Sequence, residues 1–257
     1  MALSTFRRYE LKFKLTEEQF SALYPKIVKE MQIDKYCLGG RHYNVHNIYY
    51  DTKDSALIRA SIAKPGYKEK LRLRSYTLPR SADDAVFLEL KKKTAGIVHK
   101  RRAVMSLREA DEFVARGRIP DSENYIDGQV AREISWFLSR NPVAPAVYVG
   151  YKRIAFFGRQ DPDFRLTFDY DIVTRRSDLH LSRGMYGTRL LEKGTYLMEV
   201  KIAGALPLWL SAALSGLKIY KTSFSKYGTE YKQLCGALLP AAGGREEPRG
   251  QKKCVNY

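Results

Sequence analysis

Cysteine is scarce in this chain. The three residues Cys37, Cys235 and Cys254, in a sequence of 257, stand too far apart for a C-x-x-C zinc site or a disulfide framework. The four histidines, His42, His46, His99 and His180, show neither H-x-x-x-H nor H-x-H spacing, so none is assigned to a metal or a nucleophile. No apolar run approaches the roughly 20 residues of a membrane-spanning helix. The longest, residues 203–217, is interrupted by Gly204 and Pro207. The N-terminus has no apolar stretch of the signal-peptide kind. A G-x-x-x-x-G-K-[ST] phosphate loop, a kinase signature set and a defensible Ser-His-Asp or Cys-His arrangement are all lacking. These absences lead to the expectation of a reduced, cytoplasmic protein without a membrane span. They also leave any phosphate chemistry to side-chain cations.

Acidic residues are in deficit: 28 Asp and Glu stand against 45 Lys and Arg, a net charge of +17 with neutral histidines. Such a balance favours anionic partners: nucleic acid, a membrane surface, a nucleotide or polyphosphate. Charge alone does not choose among them. The 44% hydrophobic content is enough for a sizeable core.

The positive charge is patterned. In Lys70-Leu71-Arg72-Leu73-Arg74 basic and apolar residues alternate, so a strand there projects Lys70, Arg72 and Arg74 from one face and two leucines from the other. The alternation recurs at residues 8–13, 87–91, 165–169 and 198–202, with Glu10, Glu89, Asp169 and Glu199 among the cations. In an ordinary half-buried sheet such charged faces meet water. Five of them suggest instead that they converge inside a barrel, around a polyanion and a metal.

Strands are expected at residues 8–15, 43–50, 67–77, 86–93, 98–105, 147–157, 164–174 and 196–202. Helices are expected at residues 16–31, capped by Thr16 and Gln19 and kinked or broken at Pro25, from Ser106 onward with Glu109 at its third position, and at 55–63, 122–139, 206–215 and 227–239. Pro142 and Pro145 read as chain breaks, and Trp136 and Trp209 as core. The fold expected is α+β, an antiparallel eight-stranded β-barrel with flanking helices. It forms one domain over residues 1–239, followed by a Gly, Pro and charge-rich disordered tail at 240–257.

Many cations in one cavity repel each other unless an anion of comparable charge sits among them or water fills the space. Arginine forks match phosphate oxygens, and lysine supplies a point charge. Glu10, Glu89 and Glu199 each lie two residues from a cation on the same face. They pair with Lys12, Lys91 and Lys201, or one or two of them bind Mn²⁺ or Mg²⁺. Asp169 and Asp171 read as orienting groups for Arg or Lys, or as second metal ligands.

Arg-Tyr-Glu-Leu-Lys at 8–12, Tyr-Tyr-Asp-Thr at 49–52, Lys-Leu-Arg-Leu-Arg at 70–74, Glu-Leu-Lys at 89–91, Tyr-Lys-Arg-Ile-Ala-Phe at 151–156, Glu-Val-Lys at 199–201 and Phe-Ser-Lys-Tyr at 224–227 together resemble the VTC domain. That domain belongs to the triphosphate tunnel metalloenzymes, related to the CYTH group. The resemblance covers about residues 6–235. It implies an eight-stranded tunnel and a polyphosphate polymerase that moves the γ-phosphate of ATP onto a growing inorganic polyphosphate chain, releasing ADP. It also implies substrate-binding roles for Arg8, Arg72, Arg74, Lys91, Lys100, Tyr151, Arg153, Arg165, Ser225 and Lys226, with Glu199 as the metal ligand for Mn²⁺ or Mg²⁺. Lys12 and Lys201 join the substrate-binding set, and Lys226, Arg72 and Arg74 are the expected catalytic residues. Ser223 departs from the pattern, standing where yeast-type catalytic domains carry another lysine; Lys221 is the nearby substitute.

Bland readings stand beside these. Arg72 and Arg74 would otherwise form a solvated strand face, Glu199 an ion pair, Tyr151 a wall residue and Ser225 a helix cap. Lys92 and Arg101 alternate to the opposite face and are expected to be solvated. Competing functions are a tripolyphosphate or nucleoside-triphosphate hydrolase of the same fold, and a non-catalytic module binding polyphosphate or nucleic acid. Nucleic acid is disfavoured because few aromatics interleave with the basic strand positions.

Overall fold

The computed structural model of the chain describes residues 9–63, 66–94 and 97–238. Its elements are, in order, β1 (Tyr9–Leu15), α1 (Glu17–Glu30), β2 (Met31–Ile33), β3 (Tyr43–Thr52), α2 (Ala56–Ile62), β4 (Tyr67–Ser75), β5 (Ala85–Thr94), β6 (Ile97–Ser106), α3 (Leu107–Arg116), α4 (Tyr125–Arg140), β7 (Val143–Gly158), β8 (Arg165–Arg175), β9 (Thr188–Arg189), β10 (Tyr196–Ile202), α5 (Leu208–Gly216), β11 (Lys221–Thr222) and α6 (Lys226–Leu238). The expected tail at 240–257 and Arg8 lie outside the described residues. No helix among the described residues is long and apolar enough to cross a membrane.

Eight long strands form one antiparallel sheet in the order β1-β10-β8-β7-β3-β4-β5-β6, with short β11, β2 and β9 added at β1, β7 and β8. The sheet curls into a tunnel. Lys12 of β1 and Lys70 of β4, far apart in that order, both reach the segment before α6: Lys12 Nζ donates to the Phe224 carbonyl (3.0 Å) and Lys70 Nζ to Ser225 Oγ (3.3 Å). The ladder stays open, since β6 and β1 are not paired among the described residues.

The period of two decides which face looks inward. On β4, Leu71 and Leu73 point outward and join Ile48, Leu88, Leu90, Phe113, Ile134 and Phe137 in a core covered by α3 and α4. On the opposite wall Phe13, Leu15, Phe156, Phe168, Met198 and Val200 pack against α1 and α5. The helices therefore cover the apolar outer faces and leave the charged faces to each other. A third, smaller core of Val45, Val149, Leu197, Ile58 and Tyr227 lies where α2 and α6 meet the sheet.

Local signals behave mostly as the sequence predicts. The Thr16–Gln19 and Ser106–Glu109 capping boxes both form. Four expectations fail. Pro25 sits inside an unbroken α1. Pro145 lies within β7 as the partner of Tyr50, beside a register shift that skips Ala146, so the residue that cannot donate to the ladder sits where the ladder is already irregular. Trp136 is half exposed and carries Lys92 and Arg140 over its ring, whereas Trp209 packs partly buried on the core. Lys92 and Arg101, expected to be solvated, both pair with Glu133 of α4 (2.8 and 2.9 Å).

Candidate phosphate tunnel

Two buried carboxylates organise the cations of the inner face. Glu89 of β5 is 1% exposed. It accepts from Arg72 Nε (2.5 Å) and Arg102 Nε (2.7 Å), and lies 3.0 Å from Lys100 Nζ and 4.0 Å from Arg74 Nε. Burial pushes its carboxyl up, but Arg72, Arg74, Lys100 and Arg102 outweigh burial and hold it far below the usual carboxylate range. Asp169 of β8 is fully buried. It accepts from Arg153 Nε (2.6 Å) and Nη2 (2.8 Å) and from Lys226 Nζ (2.6 Å). Asp171, two residues on, does not join it. Its backbone is left-handed (φ +49°) beside the register shift at Gly150/Lys152, and its carboxylate pairs with Lys152 and Arg189 instead.

Phenols link the two centres. Tyr151 is buried, and its hydroxyl accepts from Arg74 Nη2 (3.1 Å) and Arg153 Nη2 (3.5 Å), while Lys226 Nζ lies 4.5 Å from its ring centroid. It therefore braces two arginines from within the wall and is not open to a ligand. Arg74 is itself buried and donates through Nε to Asn47 Oδ1 (2.7 Å). Arg72 Nη1 donates to Tyr49 Oη (3.3 Å), and Arg102 Nη2 to Tyr76 Oη (3.0 Å). Against the upward push of burial, the arginines bring both Tyr49 and Tyr76 down to about 8.

Glu199 of β10 stands opposite Lys12 of β1 in the register. Its Oε1 lies 3.3 Å from Lys12 Nζ and 3.4 Å from Lys226 Nζ, and its Oε2 3.9 Å from Arg153 Nη2. Burial raises its carboxyl, and Lys226, Lys12 and Arg153 more than reverse this. Glu10 meets the same Lys12 ammonium at 3.1 Å. No group of three or more His, Cys, Asp or Glu poised to hold a metal occurs among the described residues. Magnesium commonly takes only one or two protein carboxylates, with phosphate and water filling the rest. Glu199 with Glu10 fits an ion that arrives with phosphate, Lys12 sitting between them.

The lysines differ from the arginines. Lys91 and Lys201 make no ion pair or side-chain hydrogen bond among the described residues, and Lys70 makes only its contact to Ser225. Desolvation, reinforced by Lys91 and other nearby lysines and only partly opposed by Tyr49, brings Lys70 down to about 8; desolvation also brings Lys100 to about 8 despite Glu89. Lys91 and Lys201 are lowered too, by burial first. In Lys226 burial is overcome by Asp169 and Glu199, and its ammonium is held charged.

Of the residues picked from sequence, Lys12, Arg72, Arg74, Lys91, Lys100, Tyr151, Arg153, Glu199 and Lys226 come together on this inner face, with Lys201 more exposed and opposite Glu10 in the register. Arg165 pairs with Lys201 in the register but is exposed, donating to the Pro162 carbonyl (3.3 Å). Ser225 caps α6, accepting from Gly228 N (3.2 Å). Lys221 cannot stand in for a lysine at Ser223 on the inner face. It pairs opposite Phe13, which faces the outer core. Sequence reading turned Lys70 inward without giving it a role of its own, and did not name Arg102, Asn47 and Tyr49 as site residues. Arg102 and Lys70 follow from the same alternation as Lys100 and Arg72; Asn47 and Tyr49 carry no charge to mark them.

The model of the VTC domain matches residues 7–235. The chain belongs to the VTC domain family. No curated protein matches it by sequence. Among solved structures, the chain is similar to a Bacillus halodurans protein provisionally named an adenylate cyclase. Identity is 16% over 85% of this chain and 95% of that one, with a TM-score of 0.51. A Vibrio parahaemolyticus protein of the same provisional name gives 12% identity over 89% and 97%, with a TM-score of 0.42. The first likeness agrees with a tunnel-like α+β barrel. This VTC domain has the triphosphate tunnel architecture, with its charged faces turned inward.

Proposed function

We propose that this VTC domain is a metal-dependent polyphosphate polymerase using ATP and inorganic polyphosphate. The observation that supports this most is the group of tunnel lysines, Lys70, Lys91 and Lys201, that meet no carboxylate at ion-pair distance among the described residues, beside the carboxylate pair Glu199 and Glu10. Net positive charge held inside a barrel calls for an anion, and a divalent ion with phosphate satisfies lysines and carboxylates together. Lys12, Lys91, Lys100 and Lys201 contact the phosphates, with Arg72 and Arg153 behind them. Glu199, assisted by Glu10, holds Mn²⁺ or Mg²⁺. When bound, that ion polarises the γ-phosphoryl group. Lys226, kept protonated by Asp169 and Glu199, stabilises charge on the transferred group.

A terminal oxygen of the polyphosphate chain attacks the γ-phosphorus of ATP, the bond from that phosphorus to the β–γ bridging oxygen breaks, and ADP leaves. No covalent intermediate on the protein is needed; positioning and charge neutralisation suffice. Incubating the protein with ATP and Mn²⁺ and resolving products by length tests this. A ladder with ADP release is expected. Orthophosphate without a ladder points to the hydrolase, and tight polyphosphate binding without turnover to a binding module.

A further inference from the structure

Two sequence segments singled out by the resemblance, residues 49–52 and 224–227, meet in space around one buried carboxylate. Asp51 is 2% exposed at the end of β3. Its Oδ2 accepts from the Tyr227 hydroxyl (2.7 Å) and Ile58 N (3.0 Å), and its Oδ1 from Leu57 N and Thr52 N (both 2.9 Å). One side chain thus joins β3, the start of α2 and the first turn of α6. Ser55, at the N-cap position of α2, makes no capping bond of its own; Asp51 takes the Leu57 and Ile58 N–H groups and the Thr52 hydroxyl takes that of Ala56.

Tyr227 is also 2% exposed, with its ring 5.2 Å from that of Tyr49, whose hydroxyl accepts from Arg72. Lys226 is the preceding residue. Its ammonium crosses the Tyr151 ring to reach Asp169 and Glu199. The direction of Lys226 therefore depends on how the first turn of α6 is seated. Burial and the Asp51 carboxylate both push the Tyr227 phenol up, so the hydroxyl keeps its proton and remains the donor. We propose that Asp51, acting through the Tyr227 hydroxyl, is the positioning residue that aims Lys226 at Glu199 and the arriving phosphate. This deepens the polymerase reading and rests on it for the substrate; the geometric claim stands apart from the reaction. A displacement of about 1 Å in such a group costs on the order of 100-fold in rate.

The test uses the full chain with Tyr227→Phe, which keeps the ring on Tyr49 and loses only the hydroxyl, and with Asp51→Asn. Two readouts are taken: kcat and KM with ATP and Mn²⁺, and acylation of individual lysines mapped by mass spectrometry. The expected result is kcat lowered about tenfold or more with KM within about twofold. Acylation of Lys226 rises while that of exposed Lys29 and Lys193 does not, and the double variant is no worse than the worse single one. Wild-type kcat in Tyr227→Phe, with Lys226 still protected, overturns the proposal. If the wild-type protein turns over no phosphate substrate, the polymerase reading falls. The acylation pattern then decides the positioning claim alone: exposure of Lys226 upholds it, and continued protection overturns it. Should Asp51→Asn fail to fold, Tyr227→Phe carries both readouts.

Discussion

Arg72, Arg74, Arg102 and Arg153 each donate to a carboxylate, amide or phenol of the tunnel wall, whereas Lys70, Lys91 and Lys201 meet no carboxylate within ion-pair distance among the described residues. The two groups share one inner face and one sign of charge, and the contrast follows from their chemistry. A guanidinium stays charged at any working pH, so burying it requires a built-in counter-charge or acceptor. An ammonium can shed its proton when desolvated, and desolvation brings Lys70 down to about 8. The arginine half is a preassembled, largely neutralised frame. The lysine half holds the charge that a ligand can still claim.

The contrast is open to attack at several points. Removing a frame carboxylate has the largest expected effect: Glu89→Ala leaves Arg72, Arg102 and Lys100 facing one another and destabilises the fold by about 3–5 kcal/mol. Thermal or urea unfolding reads this directly, and an unchanged midpoint would sink the idea of a frame. Next comes Glu199→Ala. Turnover falls by about 100-fold or more while ATP binding largely survives, as expected for a group that acts on the transferred phosphoryl. Normal turnover in that variant removes the metal assignment.

Lys91→Ala is expected to weaken tripolyphosphate binding about tenfold by calorimetry with little change in melting temperature, because Lys91 meets no carboxylate at ion-pair distance among the described residues and feels Glu10 only from further off. A lower melting temperature at unchanged affinity would place Lys91 in the frame. The smallest effect is on pH. Lys70 and Lys100 titrate near 8 in the free protein, and a bound anion favours their charged form. Binding above that value therefore takes up protons, and affinity for long polyphosphate falls a few-fold per lysine from pH 7 to 8.5. Lys70→Arg and Lys100→Arg flatten that slope; a slope that persists in both variants assigns the titration elsewhere. The frame behaves oppositely at low pH. Glu89 is depressed, so its stabilisation is complete above the ordinary carboxylate range and is lost as pH falls from about 4.5 toward its folded value.

Much of the tunnel was legible because strand alternation is a local property. Lys70-Leu71-Arg72-Leu73-Arg74 assigned its own faces, and Met198-Glu199-Val200-Lys201-Ile202 placed Glu199 inward and its neighbours in the core. The rule failed where local geometry broke the period: Asp171 shares a parity with Asp169 but turns away through a left-handed residue at a bulge. Lys92 and Arg101 were placed on the correct outer face, yet their partner Glu133 comes from a helix more than 30 residues on.

By itself, the sequence determined the eight strands, their two-faced character, the capping boxes and the excess of inward charge, since each depends on side-chain type and spacing within a few residues. Only the tertiary structure decided which cations are neutralised and which remain open to a ligand. Whether Arg74 meets Asn47 and Tyr151, or Lys91 meets no carboxylate at ion-pair distance among the described residues, depends on strands brought together from distant parts of the chain. Coulomb and hydrogen-bond energies fall off over a few ångströms, so that distinction exists only once the barrel has curled.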